Sequence, residues 1–115
     1  MAITGTITSP NYPSEYPPNS YCTYQITLEN AANFQILFNY FRVENEFDFL
    51  YYGIGTDANT TAALGSLTGY DQPANFQIES SAVWFIFTSD GSVVFPGFNL
   101  TWIAEDPTVK GYYLY

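Results

Sequence analysis

Cys22-Thr23-Tyr24-Gln25-Ile26-Thr27-Leu28 alternates without a break. Cys22, Tyr24, Ile26 and Leu28 fall on one side of an extended chain and Thr23, Gln25 and Thr27 on the other, the period of a half-buried β-strand. Working outward, residues 34–43 are aromatic and β-branched, with Phe34, Ile36 and Phe38 sharing a parity. Residues 49–52 form a short candidate bounded by Gly53, and 75–78 another. Residues 83–88 (Val-Trp-Phe-Ile-Phe-Thr) read as a buried strand, and 98–104 alternate again, placing Phe98, Leu100 and Trp102 together. Turn clusters separate these runs, among them Ser9-Pro10-Asn11, Pro17-Pro18-Asn19, Asp71-Gln72-Pro73 and Ser89-Asp90-Gly91. Only residues 62–67 have a helical look, and that stretch is too short to nucleate alone. Short strands between turns, with no helical period, predict an all-β protein built as an antiparallel β-sandwich.

At 115 residues the chain suits one domain. Hydrophobic residues make up 47% and aromatic residues 20%, so a packed core is expected despite the charge. Eleven carboxylates face only Arg42 and Lys110, leaving a net charge of −9 that repels phosphate backbones and anionic lipid. Nucleic acid and membrane surfaces are therefore not expected partners. The longest apolar run, residues 82–87, is far shorter than the roughly 20 residues of a membrane helix. No leader is expected after Met1, since Ala2-Ile3-Thr4-Gly5 leads directly into folded-looking sequence. Histidine is absent and Cys22 is the only cysteine, which removes Ser–His–Asp and Cys–His catalysis and the usual zinc sites. Glu44 with Asp90 could form a glycosidase-like carboxylate pair. A small sandwich without histidine or a cofactor motif is nevertheless expected to be non-catalytic, and Gly65-Ser66-Leu67-Thr68-Gly69 is no nucleophile elbow.

Three separated stretches resemble the CUB domain family. The first is Gly5-Thr-Ile-Thr-Ser-Pro-Asn-Tyr-Pro13 with Tyr16, Asn19 and Cys22-Thr-Tyr-Gln-Ile26, where Tyr24 stands in place of a frequent Trp. The second is Phe38-Asn-Tyr-Phe41-Arg-Val-Glu44 followed by Phe47-Asp48-Phe-Leu-Tyr-Tyr-Gly53. The third joins Ser80-Ser81, residues 83–87, Ser89-Asp90 and Gly97-Phe-Asn-Leu-Thr-Trp102. The resemblance implies a two-sheet sandwich of jelly-roll type over residues 1–104, used as an extracellular, secreted or cell-surface recognition module. Residues 105–115, ending Gly111-Tyr-Tyr-Leu-Tyr115, would follow as an aromatic extension, either an added edge strand or a contact to a neighbouring module.

The family commonly has two disulfides, and this chain departs from that pattern. Cys22 has no partner, leaving either a buried thiol or an intermolecular bond. Thr68 and the neighbourhood of Glu46 and Phe47 stand where the second pair would be. Each disulfide typically contributes ~2–4 kcal/mol. A buried Phe or Trp is worth ~3–5 kcal/mol against Ala, so two or three extra buried aromatics are expected to compensate.

The resemblance also places a Ca²⁺ site at Glu44, Asp48 and Asp90, with Ser92 in the adjoining turn and Tyr16 as a buttress. Calcium takes six to eight oxygens, which loops at one end of a sandwich can supply, and extracellular modules hold it at ~10⁻⁴–10⁻³ M. Only Asn45, Glu46 and Phe47 separate Glu44 from Asp48, fewer than in the family; the shortening either draws Glu44 out of reach or substitutes Glu46. The implied function is capture of a Lys- or Arg-presenting protein, or of a glycan, around Tyr16, Glu44, Glu46 and Asp90. Tyr12, Tyr21, Tyr51, Tyr52 and Tyr70 supply aromatic faces that a sugar could use, although packing is the commoner role. The alternative function is structural: a module of a fibre, tail or tandem array that self-assembles through its edges and C-terminus. Asn59-Thr-Thr61 and Asn99-Leu-Thr101 are glycosylation sequons, and Asn99 is expected to face water, opposite Phe98 and Leu100.

Overall fold

A computed structural model describes residues 2–106 and shows eight strands there. They are β1 (Ala2–Thr8), β2 (Tyr21–Thr27), β3 (Phe34–Arg42), β4 (Phe49–Ile54), β5 (Gly65–Leu67), β6 (Phe76–Ile78), β7 (Ala82–Thr88) and β8 (Gly97–Glu105). One sheet has the order β1-β8-β3-β6 and the other β2-β7-β4-β5, with every pairing antiparallel. Every connection except β4 to β5 crosses from one sheet to the other, so neither layer folds by itself. The expected sandwich of two antiparallel sheets is therefore the observed one.

The core lies between the layers. Phe34, Ile36 and Phe38 from β3, Val83, Phe85 and Phe87 from β7, Phe98 and Leu100 from β8, and Leu50 from β4 are buried there. The alternation expected for β2 holds in a muted form: Cys22, Tyr24 and Ile26 are half-buried against this cluster and the intervening residues are exposed. Aromatic edges meet faces inside it, as in Phe87 on Phe98 with centroids 5.4 Å apart and Phe38 on Phe41 at 5.6 Å.

Three local features differ from the sequence expectation, and one stretch with a helical look turns out as expected. Ala2–Thr8 is a full strand, paired along its length with β8. Gly53 does not end β4, which continues to Ile54: the indole of Trp84 occupies the space a side chain would take at that position. The Trp84 Nε1–H donates to the Ile54 carbonyl at 3.1 Å, and this outward-facing ring is fully buried. As expected of so short a stretch, residues 62–67 form no helix of their own: Ala62 ends a single 3₁₀ turn, Thr60–Ala62, and β5 follows from Gly65. Finally, β3 is interrupted by an irregularity between Phe38 and Tyr40 in its pairing with β8. The extra residue, Asn39, shifts the phase of the strand, so that Phe41 and Val43 face inward after Phe38 instead of Tyr40. Of the expected extension over 105–115, Glu105 belongs to β8, and residues 107–115, with their tyrosines, lie outside the described residues.

Candidate metal and ligand site

At one end of the sandwich the segments after β1, β3 and β7 converge. Val43, wholly buried, fixes the exit from β3, and its N–H donates to the Gly69 carbonyl at 3.0 Å. The chain then turns back at once. Both Phe47 N–H (3.3 Å) and Asp48 N–H (3.0 Å) donate to the Glu44 carbonyl, and Glu46 takes a left-handed backbone conformation with φ 66°. The shortened connection is thus a closed turn that keeps Glu44 beside Asp48.

Asp48 is the hub. It is fully buried, and both carboxylate oxygens are used: Oδ2 accepts from the Tyr16 hydroxyl at 2.5 Å and Oδ1 from the Asp90 N–H at 2.9 Å. Tyr16 in turn accepts the Glu44 N–H at 3.1 Å. Its ring packs edge-on against Phe87 at 4.9 Å and is 1% exposed. Tyr16 therefore stands beneath the site as a support, with almost no surface to offer a ligand. Asp90 carries the loop after β7: its carbonyl accepts the Asn19 N–H at 2.8 Å and its Oδ1 accepts the Ser92 N–H at 3.2 Å.

The carboxylates of Glu44, Asp48 and Asp90 each place an oxygen within 4.8 Å of the others. Burial raises the pKa of Glu44 above the usual carboxylate range, and the charge of Asp90, a hydrogen bond shared with it and the charge of Asp48 add to the rise. Glu44 Oε1 is buried and has no hydrogen-bond partner among the described residues. An oxygen left in this way costs free energy unless a donor or cation satisfies it, and a hard divalent ion suits three converging carboxylates. The residues present fit Ca²⁺. Tyr16 is held well above its ordinary range by burial and then by its bond to Asp48, so its hydroxyl remains a donor.

Of the other expected contributors, Glu46 is exposed and outside this trio. Ser92 is exposed and engages Asp90 through its amide. Sequence reasoning passed over Thr68 as a functional residue. Its hydroxyl accepts the Glu46 N–H at 2.9 Å and lies 2.6 Å from the Asp48 carbonyl and 3.2 Å from that of Glu44. Thr68 and the neighbourhood of Glu46 and Phe47, where the resemblance would set a second disulfide, are joined here by these hydrogen bonds.

Among the described residues the tyrosines do not gather into one platform. Tyr12 packs on Tyr40 at 5.8 Å, Tyr52 on Phe76 at 4.7 Å, and Tyr70 on Phe95 at 5.3 Å with the Arg42 guanidinium over both rings. Asn59 is exposed, and its Oδ1 accepts both the amide (3.0 Å) and the hydroxyl (2.8 Å) of Thr61. Asn99 lies in the central strand β8, half-buried, and accepts from Asn39 Nδ2 at 3.0 Å. Cys22 is a half-buried free thiol beside Tyr24.

The model of the CUB domain family matches residues 1–102. Bone morphogenetic protein 1 of Xenopus laevis is 32% identical over 105 residues, 88% of this chain and 15% of that protein. Fibropellin-1 of Strongylocentrotus purpuratus is 35% identical over 106 residues, 88% of this chain and 10% of its own length. The chain therefore spans a small part of these relatives. Among solved structures, the MASP-1 CUB2 domain bound to Ca²⁺ superposes with a TM-score of 0.75 at 30% identity, covering 86% of this chain and 90% of that one. The full extracellular region of zebrafish Gpr126/Adgrg6 contains a match with a TM-score of 0.73 at 26% identity, over 86% of this chain and 13% of that one.

Proposed function

The chain belongs to the CUB domain family, and from that premise we propose that it is a non-catalytic extracellular recognition module. It binds Ca²⁺ through Glu44, Asp48 and Asp90 and uses the same rim to capture a Lys or Arg side chain of a protein partner. The observation that carries the reading is the buried, unpartnered Glu44 Oε1 within a trio of carboxylates drawn from distant segments. Support also comes from the Ca²⁺ bound by the MASP-1 CUB2 domain and from the zebrafish match lying in an extracellular region.

Each residue has a separate part. Tyr16 and the Asp90 amide fix the Asp48 carboxylate, the 44–48 turn delivers Glu44, and Ser92 orients one oxygen of Asp90. Bound Ca²⁺ supplies positive charge that relieves the repulsion among the carboxylates. Glu46, exposed on the outside of the turn, is free of that trio and meets the incoming basic group by a charge-assisted hydrogen bond. The net charge of −9 draws such partners in, an attraction that weakens as salt rises. The described tyrosines are dispersed, with Tyr21 and Tyr70 exposed but on separate parts of the surface, which favours this reading over a glycan stacked on a shared aromatic face.

Isothermal calorimetry with Ca²⁺ tests the proposal. The native chain should bind with a dissociation constant of ~10⁻⁴–10⁻³ M, and Asp90→Ala should lose the heat while keeping the β-sheet circular dichroism. Equal heats in the two proteins, or none in either, retire the ion site.

A further inference from the structure

The two flanks of the sandwich are built differently. On one, the sheets end in β5 and β6, three residues each. On the other they end in β1 and β2, seven residues each. Long edges offer unpaired backbone groups, and proteins usually blunt them with charge, proline or a bulge. Strand β1, Ala-Ile-Thr-Gly-Thr-Ile-Thr, has no ionisable residue and no proline, and its register with β8 runs unbroken from Ala2 to Thr8.

The direction of the free groups follows from one bond. Ser9 N–H donates to the Phe98 carbonyl at 3.0 Å, so in an antiparallel ladder Ile7, Gly5 and Ile3 also turn towards β8. Thr8, Thr6, Thr4 and Ala2 then direct their backbone groups away from it. The Thr8 carbonyl accepts the Tyr24 hydroxyl at 2.9 Å, as an outward carbonyl can. Thr4 and Thr6 have no neighbouring strand on that side among the described residues.

The strand is also self-complementary. Ile3-Thr4-Gly5-Thr6-Ile7 reads the same in both directions. We propose that β1 is a homodimerisation edge: two copies pair antiparallel about a two-fold axis at Gly5, setting Thr4 opposite Thr6 of the second copy and Ile3 opposite its Ile7. The outward amides of Thr4 and Thr6 form the hydrogen-bonded pairs that such a register needs. Threonines face each other on the outer surface of the sheet, and isoleucines on its inner side, a favourable kind of cross-strand match. A second copy is the occupant because a neutral edge neither repels its like nor selects a basic peptide. The same pairing of β2 about Tyr24 would set Cys22 against Ile26 and Thr23 against Gln25, with no such match.

Sedimentation equilibrium in chelator, up to millimolar chain, tests this separately from the calcium reading. The average mass should rise towards twice 12.9 kDa, and the Thr4 and Thr6 amides should gain hydrogen-exchange protection with concentration. Because each copy carries −9, added salt should strengthen the dimer, opposite in sign to capture of a basic partner. Thr6→Pro removes an outward N–H without touching the β8 ladder and should remain monomeric with unchanged melting. The double variant Thr4→Lys, Thr6→Lys should also remain monomeric, by placing like charges opposite each other, with a slightly lower melting temperature because the Thr4 hydroxyl's bond to the Trp102 carbonyl is lost. A native chain that stays monomeric at every salt concentration overturns the proposal, as does a dimer that survives in both variants or that protects β2 instead.

Discussion

The body of the sandwich and its acidic rim are held by different physics. In the body, Phe34, Phe85, Phe87, Phe98 and Trp84 are fully buried, and their contribution scales with area removed from water, whatever the detailed contacts. At the rim, Asp48 is as deeply buried as any of them but is held by two directed hydrogen bonds. Burial of this kind is summed over many side chains, and the described body is closed without a disulfide, Cys22 being a free thiol. At the rim, moving one donor strands a buried acceptor, and Glu44 Oε1 shows what a single unpartnered atom looks like there.

That contrast can be tested by substitutions chosen to affect one region and spare the other. The largest effect is expected in the body: Phe85→Ala should cost ~3–5 kcal/mol in urea unfolding. It should leave Ca²⁺ heats unchanged at temperatures where the variant is folded. Loss of those heats would mean that body and rim are one cooperative unit. Thr68→Val should have an intermediate effect, about 1 kcal/mol of stability, together with weaker Ca²⁺ binding, because its hydroxyl joins the 44–48 turn to the end of β5. A purely thermal effect would limit Thr68 to the body. The smallest effect on stability is expected for Glu44→Gln. Without metal it should melt no lower than the native chain, since repulsion with Asp90 and Asp48 disappears, yet the Ca²⁺-induced rise in melting temperature should shrink. Scanning calorimetry with and without chelator measures both, and a variant with a full Ca²⁺ response would remove Glu44 from the site.

Much of the body was readable along the chain. The strict alternation at 22–28, the apolar run at 83–88 and the spacing of Phe98, Leu100 and Trp102 are each local consequences of a two-residue period. What escaped were features in which a distant residue sets the local conformation. Gly53 looked like a strand end until Trp84, thirty-one residues away, was seen to fill its empty side. Asn39 is an ordinary polar residue in sequence, but inserted into β3 it reverses which side Phe41 and Val43 face. β1 was missed because Thr and Gly on alternate positions carry little hydrophobic contrast. At the rim, the carboxylates were named from the resemblance, whereas the burial of Tyr16, the closed turn at Glu46 and the bridging hydroxyl of Thr68 had no local signal.

Composition and period by themselves determined that this chain makes strands, buries aromatic side chains and repels polyanions, because each of these depends on residue type and near neighbours. The tertiary structure decided which carboxylates meet and which tyrosine is shut beneath them. Those outcomes depend on crossings between layers that bring residues 16, 48 and 90 together, and a hydrogen bond between them exists only when all the intervening packing has fixed their distance.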